Sequence, residues 1–490
     1  MEERIIKMQK RKISAILLAL IAAQLVSCQE ADHPNDLDTS SQDTTSQEET
    51  RKWLDSIPEL NFEGKTFTVA VYENPDARNH VFSSEQDGDT INDAIYEATL
   101  NVSQRFNVNL EELVDDAYGG DSFRTNVMAG DAPFHIANTR APNALSYYAE
   151  GLVTPIDQLE YIDLSQSYWA AEANAALSIN GVHYTALGDM NFSAYDLTHV
   201  LLFNENLITD YKLDSPFELV ESGKWTFDKM YEMMNAVSDD INGDSNFDQN
   251  DQYGYSAYAR VVAQNFWIAG GINTIAKDEN DIYTLNLSNE NVVNYLTKVT
   301  ERIMGGNIAY FNDVDGYYDA MPDWEIEMFK NDRVLFANST LRYMESLRDM
   351  DTDFGIIPYP KQDEEQEKYY VRLGYWNAPL VPVTNAETEM TGALLEALNA
   401  EYNRVVRPKF FDTALKGKIA RNEESVRMLN LILESRVIDV GDVLFSSSIR
   451  ATLTDVFSKG STDYMSSIDA NRAKNEQELL DALPEGVEAK

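Results

Sequence analysis

Lys65-Thr66-Phe67-Thr68-Val69-Ala70-Val71-Tyr72 places Phe67, Val69 and Val71 on alternate positions, the two-residue period of a strand with one face in a core. Ile91, Ala94, Ile95, Ala98, Val102 and Phe106 follow at three- and four-residue intervals, which predicts a helix with one apolar stripe. Val108 and Leu110 open a second strand, Ser122 to Ala129 reads as a helix closed by Gly130, and Pro133 to Asn138 reads as a third strand. Strand, helix, strand, helix, strand is the order of a doubly wound α/β lobe. Ligands of such sheets bind beyond the carboxyl ends of the strands. That rule directs attention to the loops near Tyr72, Asn138 and Arg140.

Downstream come Tyr184, the run Gly188-Asp189-Met190-Asn191, and an apolar strand from Val200 to Phe203. Thr226 is placed to cap a helix whose buried stripe would be Phe227, Met230, Tyr231, Met234 and Val237. Val334 to Ala337 and Phe354 to Ile357 read as strands, and Val371 to Pro382 as one extended apolar stretch. The C-terminal part is mainly helical, with Met428, Ile432 and Leu433 on one stripe, and there is no internal repeat. More than 400 residues follow Asn61, more than a single core usually holds, so two lobes are expected.

Upstream, Arg4, Lys7, Lys10, Arg11 and Lys12 precede an uncharged apolar run from Ile13 to Val26. The run is short for a bilayer span, which takes roughly 20 apolar residues, and fits the apolar region of a signal peptide. It ends in Leu25-Val26-Ser27-Cys28, which resembles the lipobox of bacterial lipoproteins, and Cys28 is the only cysteine of the chain. A lipid anchor on Cys28 and an extracytoplasmic position on the cell membrane are therefore expected. A lone thiol excludes an internal disulfide and a cysteine-rich metal site. Gln29 to Thr50 holds no Lys, Arg or aromatic residue; with so little apolar surface it reads as a flexible acidic spacer.

The formal net charge of −43 argues against nucleic acid and against adsorption on anionic lipid. His33, His80, His135, His183 and His199 show no H-E-x-x-H spacing, and neither a G-x-S-x-G elbow nor a Walker A loop occurs, so no catalytic residues are assigned and an enzyme is not expected. Among so many acidic residues paired carboxylates are unavoidable, which keeps a secreted glycoside hydrolase as an alternative. A polysaccharide-binding surface adhesin is a second.

Several segments, in order, resemble those of the extracellular solute-binding proteins of ABC importers, specifically the large carbohydrate-binding group. Gly130-Asp131-Ala132-Pro133-Phe134-His135-Ile136 resembles the family's GDAPD turn, and Tyr148 to Asp157 its A.GGLL.PLD segment. Leu202 to Leu207 resembles YYNKDL, Lys224 to Phe227 the start of P.TWDE, Phe329 to Phe336 F..GK.AM, and Phe354 to Pro360 YG..P.P. Together they span about Phe62 to Leu483. The sequence departs from the family in having Arg372-Leu373-Gly374-Tyr375-Trp376 for a Gly-Gly-aromatic crossover, and in lacking the usual aromatic around Asn338-Ser339-Thr340-Leu341.

The resemblance implies two doubly wound α/β lobes joined by crossover strands, the type II periplasmic-binding-protein-like fold. One lobe would comprise residues 61–190 and 376–415, the other 191–375 and 416–490, after a signal peptide (1–27) and a lipidated linker (28–60). Crossovers are expected near Asp189 to Tyr195, Arg372 to Asn377 and Phe411 to Lys418. It further implies a monomeric receptor that captures a sugar or oligosaccharide in the interlobe cleft and passes it to ABC permease subunits. Sugar rings offer apolar C–H faces to aromatic side chains and hydroxyls to a few oriented polar groups. Trp267, Tyr375 and Trp376 are the candidate aromatic contacts, and Arg140, Asp189, Asn191, Asn338 and Asn377 the polar ones. The alternative for either tryptophan is a core position with a bonded indole N–H.

A separate pattern lies at Asp240 to Asp251. Counting Asp240 as position 1, Asp240, Asn242, Asp244, Asp248 and Asp251 occupy positions 1, 3, 5, 9 and 12, with Asn246 at position 7 to offer a backbone carbonyl. Calcium takes six to eight oxygen ligands from such a loop, so a structural Ca²⁺ is expected, with no other cofactor. Ser245 replaces the glycine usual at position 6, and Asp251 the usual glutamate at position 12. The alternative is an acidic surface turn.

Overall fold

The computed structural model describes residues 57–72, 80–114, 121–311, 324–347, 350–374, 376–414 and 423–483. Cys28 with the leader and spacer, and Tyr375, lie outside them. In chain order the strands are β1 (Lys65–Val71), β2 (Val108–Val114), β3 (Ile136–Arg140), β4 (Val153–Thr154), β5 (His199–Asn204), β6 (Tyr253–Ala257), β7 (Ile275–Lys277) and β8 (Tyr283–Leu285). They continue with β9 (Ala309–Phe311), β10 (Val334–Thr340), β11 (Phe354–Ile357), β12 (Val371–Arg372), β13 (Asn377–Pro382) and β14 (Arg436–Val437).

Two five-stranded sheets organise these strands, one in the order β2-β1-β3-β13-β4 and the other β11-β5-β10-β6-β9. In the first, β1 is parallel to β2 and β3, and β13 is antiparallel to both β3 and β4. In the second, β6 is parallel to β9 and β10, and β5 is antiparallel to β10 and β11. The sheets therefore share one plan: three parallel strands, then an antiparallel one. The antiparallel member of the first sheet arrives from far along the chain. That is how the backbone passes back between two doubly wound lobes.

The local reasons are those of the sequence. Phe67 and Val69 of β1 are fully buried, each burial stabilising by about 1.5–3 kcal/mol. Asp89 caps the helix Thr90–Phe106 by accepting from the N–H groups of Ile91 and Asn92, and the stripe Ile91, Ala94, Ile95, Ala98, Val102 and Phe106 is buried as expected. Gly130 ends Ser122–Ala129 at φ 71°, a left-handed turn that glycine adopts without steric cost. Thr226 caps Phe227–Val237 through Lys229 N.

Three expectations need correction. The third strand begins at Ile136 rather than Pro133, because Phe134 leaves the sheet to pack 6.0 Å from Phe123, centroid to centroid. In the helix Phe227–Val237, Met233 is in the core where Tyr231 was expected; the Tyr231 ring lies under the Arg302 guanidinium at 4.7 Å. The run Val371 to Pro382 is not one strand. Val371–Arg372 pairs with β14, and Asn377–Pro382 joins the first sheet. Gly374 lies between them, where a Cβ would approach His199 Nε2 to 2.8 Å. Of the expected late crossover, Phe411 to Ala414 closes a helix, and 415–422 lie outside the described residues. Among the described residues no helix is long and apolar enough to cross a membrane.

Candidate ligand-binding site

The carboxyl end of β3 and the amino end of β13 lie side by side, with Asn377 opposite Arg140. Ala141, which opens the helix after β3, donates its N–H to Trp376 O at 3.3 Å. Asn191 Nδ2 donates to Asn377 O at 2.6 Å, and Asn377 N to Ser193 Oγ at 3.3 Å. Arg140, Asn191, Trp376 and Asn377, distant in sequence, are thus gathered at one end of the first sheet. Two crossover segments meet the other lobe here: Thr198 forms a bridge with Leu373, and Leu341 N donates to Thr198 O at 3.1 Å.

This junction is polar, buried and incompletely satisfied. Asn138 Oδ1, Asn191 Oδ1, Trp376 Nε1 and both amide atoms of Asn377 have no hydrogen-bond partner among the described residues. Ser256 Oγ near the carboxyl end of β6 and Thr340 Oγ1 at that of β10 share this state. Each such atom costs about 1–3 kcal/mol, and buried polar groups in folded proteins are ordinarily paired. Asn138, Asn191, Trp376 and Asn377 are grouped about one end of the first sheet, and Ser256 and Thr340 stand near strand ends of the second. Every one of them is a neutral amide, hydroxyl or indole group.

The second sheet backs the junction with a bonded network. Asn338 Oδ1 accepts from Asn265 Nδ2 and from Tyr359 OH, both at 2.8 Å, and Tyr359 OH lies 2.9 Å from Tyr255 OH. Arg372 is 5% exposed and Asp442 fully buried; they form a two-pronged pair, Nε to Oδ2 at 2.6 Å and Nη2 to Oδ1 at 3.1 Å. Arg372 Nη1 also faces His199 Nε2 at 2.8 Å. Burial, reinforced by the Arg372 charge, holds the His199 imidazole well below its ordinary pKa. The ring is neutral, and because arginine only donates, Nε2 accepts and Nδ1 carries the hydrogen, without a hydrogen-bond partner among the described residues.

The other sequence candidates are placed elsewhere. Asp189 is occupied by Tyr195 OH, by Asn403 Nδ2 at 2.6 Å and by Arg407 at 3.8 Å, so it ties the first crossover to the segment 403–407. Burial raises its pKa despite these donors. Trp267 is fully buried, its Nε1 donating to Asp439 Oδ2 at 2.8 Å, which is the core arrangement named above as the alternative. Asp439 also accepts from Thr274 N at 3.1 Å; burial first, then nearby Asp442, push its pKa up to about 7. Asn338 borders the junction with its carbonyl already satisfied. Sequence reading did not single out Ser256, Gln264 or Asn265. Their only signal is position, in β6 and in the helix Ala259–Ala269 that follows it. Among the described residues no three His, Cys, Asp or Glu side chains are drawn together as a ready metal cluster.

No family model and no curated protein matches the sequence. Solved structures do share its fold. A cyclo/maltodextrin-binding protein complexed with maltotetraose aligns with a TM-score of 0.56 at 13% identity, over 84% of this chain and 97% of that one. An ABC substrate-binding protein from Listeria monocytogenes in complex with cycloalternan aligns at 0.54 and 14% identity, over 85% and 99%. An extracellular solute-binding protein from Staphylococcus aureus in complex with maltose aligns at 0.53 and 13% identity, over 84% and 98%. At such identities the likeness is one of architecture: this chain has the two-lobed, type II periplasmic-binding-protein-like fold. All three neighbours are binding proteins, not enzymes.

Proposed function

We propose that this chain is the substrate-binding component of an ABC importer, capturing an extracellular sugar or oligosaccharide between its lobes and presenting it to a membrane permease. The observation that carries the reading is the set of neutral donors and acceptors on Asn138, Asn191, Thr340, Trp376 and Asn377 that have no partner among the described residues. Hydroxyl-rich, uncharged ligands satisfy groups of this kind in both directions, since a hydroxyl donates and accepts. Three neighbours of the same fold hold maltotetraose, cycloalternan and maltose, which supports a glucan-like ligand class. Closure of two lobes over a ligand is also a recurring way to signal occupancy to a partner.

A thermal-shift panel of mono- and oligosaccharides, with neutral peptides as a comparison, tests the ligand class. A true ligand at 100 times its dissociation constant should stabilise the protein by about 2.7 kcal/mol and be recovered intact. Recovery of cleaved sugar would favour the glycoside hydrolase instead, and stabilisation by peptides alone would end the carbohydrate reading. As a separate part of the proposal, Cys28 carries the lipid that tethers the protein to the outer face of the cell membrane. Cys28→Ser should move the protein from the detergent-soluble membrane fraction to the soluble one. An unchanged distribution would remove the anchor from the proposal.

A further inference from the structure

We propose that residues 240–251 bind one calcium ion, at a site separate from the interlobe junction. The decisive atom is Asp251 Oδ1. Asp251 is fully buried, yet this carboxylate oxygen has no hydrogen-bond partner among the described residues. Its other oxygen accepts from Asp248 N at 2.9 Å, so the carboxylate is turned into its own loop, toward Asp248. A buried carboxylate left half-satisfied is expensive unless a cation or a donor completes it. Here the surrounding side chains add negative charge, because Asp240, Asp244 and Asp248 belong to the same loop. Arg333, the cation that reaches the loop, spends Nη1 on the carbonyl of Asn250.

The donor chemistry selects the ion. Asp240, Asn242, Asp244, Asp248 and Asp251 offer side-chain oxygens and Asn246 its backbone carbonyl, an all-oxygen set that suits a hard divalent cation. Without nitrogen or sulfur ligands, zinc and copper are poorly matched. The two departures noted in the sequence are both answered. Ser245 adopts φ 65°, the left-handed turn for which glycine is usual. Asp251, shorter than glutamate, is carried inward by the turn in which its N–H donates to Asp248 O at 3.1 Å.

The loop carboxylates hold backbone donors. Asp240 accepts from Gly243 N and Ser245 N, both at 2.7 Å, and Asp244 Oδ1 from Asn246 N at 2.7 Å. These side chains are not drawn around a common point, so binding requires them to swing inward while keeping free lone pairs for the ion. Extracellular calcium modules bind on the order of 10⁻⁴–10⁻³ M, which sets the concentration range of the test. The ion would brace β6, whose first residue, Tyr253, donates its hydroxyl to Asp248 O at 3.0 Å.

The test uses the purified protein stripped with a chelator, then titrated with calcium chloride, with melting temperature as one readout. Terbium luminescence sensitised by Tyr253 is the other, and it does not depend on ligand binding at the junction. The expected result is a saturable rise in melting temperature with calcium, and terbium emission that calcium displaces. Asp251→Asn should weaken calcium at least ten-fold, and Asp240→Asn with Asp244→Asn should abolish both signals. If the double variant fails to fold, the single Asp251→Asn shift decides. Absence of both signals at about ten times the weakest affinity above overturns the proposal. So does an equal rise with magnesium chloride, which would mean counterion screening of an acidic surface, or a calcium response unaltered in Asp251→Asn.

Discussion

Asp442→Ala is expected to lower the unfolding free energy by about 3–5 kcal/mol, the usual cost of stranding a buried charge, and so to consume much of a typical domain's margin. Asp442 is fully buried, holds Arg372 by two bonds, and has Arg450 at 3.5 Å from Oδ1. Removing the carboxylate leaves Arg372 pressed against His199 and Asn265 with no anion to balance it. Urea unfolding followed by tryptophan fluorescence measures the loss. The companion experiment replaces both partners, Arg372→Met with Asp442→Leu. It should recover a large part of the stability, because neither charge then remains to be solvated. A loss below about 1 kcal/mol for Asp442→Ala, the range of exposed pairs, would show that the network does not hold the crossover.

Trp376 should lose affinity in two graded steps. Trp376→Phe keeps one six-membered aromatic ring and deletes Nε1–H, a donor without a partner among the described residues, together with the rest of the five-membered ring. Deleting an unsatisfied donor removes no bond from the ligand-free protein, so the loss of stability should be confined to the small cavity left by the smaller ring and stay well below that of Trp376→Ala. The bound sugar loses one hydrogen bond, about 1–1.5 kcal/mol or roughly ten-fold in affinity. Trp376→Ala removes the stacking face as well and should cost at least about 2 kcal/mol of binding. Because the side chain is fully buried, it also leaves a cavity that lowers stability by about 3–5 kcal/mol. Isothermal calorimetry beside thermal melts separates the two effects. Undiminished affinity in Trp376→Phe would remove the Nε1–H bond to the ligand, and undiminished affinity in Trp376→Ala would make Trp376 a packing residue only.

What could be read in advance depended on how each segment is buried. β1 and the helix Thr90–Phe106 each face a core on one side, so their periods of two and 3.6 survive in the sequence. β6, Tyr253-Gly254-Tyr255-Ser256-Ala257, is buried on both faces and shows no alternation. Its glycine looks like a turn but is a packing necessity, since a Cβ on Gly254 would stand 2.3 Å from Met234 Cβ. The junction was legible where a polar residue stands at a strand end, as at Arg140, or in an expected crossover, as at Asn191 and Asn377. It was not legible where polarity is ordinary, as at Ser256. Asp189 and Trp267 show the limit of motif position: which way a side chain turns is set by partners 214 and 172 residues away, Asn403 for one and Asp439 for the other.

The placement of β13 between β3 and β4 also sets a timetable for assembly. As the chain is made, β1, β2 and β3 emerge early, but the strand that covers the edge of β3 ends only at Pro382. Until then β4, which pairs with β13 alone, has no partner strand, and β3 presents open N–H and C=O groups to any neighbouring strand. Bare edges of this kind invite intermolecular pairing, and long-range closure is slow. The sheet of the first lobe therefore cannot be finished before the strands of the second, β5 to β11, have been synthesised. A chain cut short before residue 382 should be prone to aggregation or degradation rather than survive as a folded half.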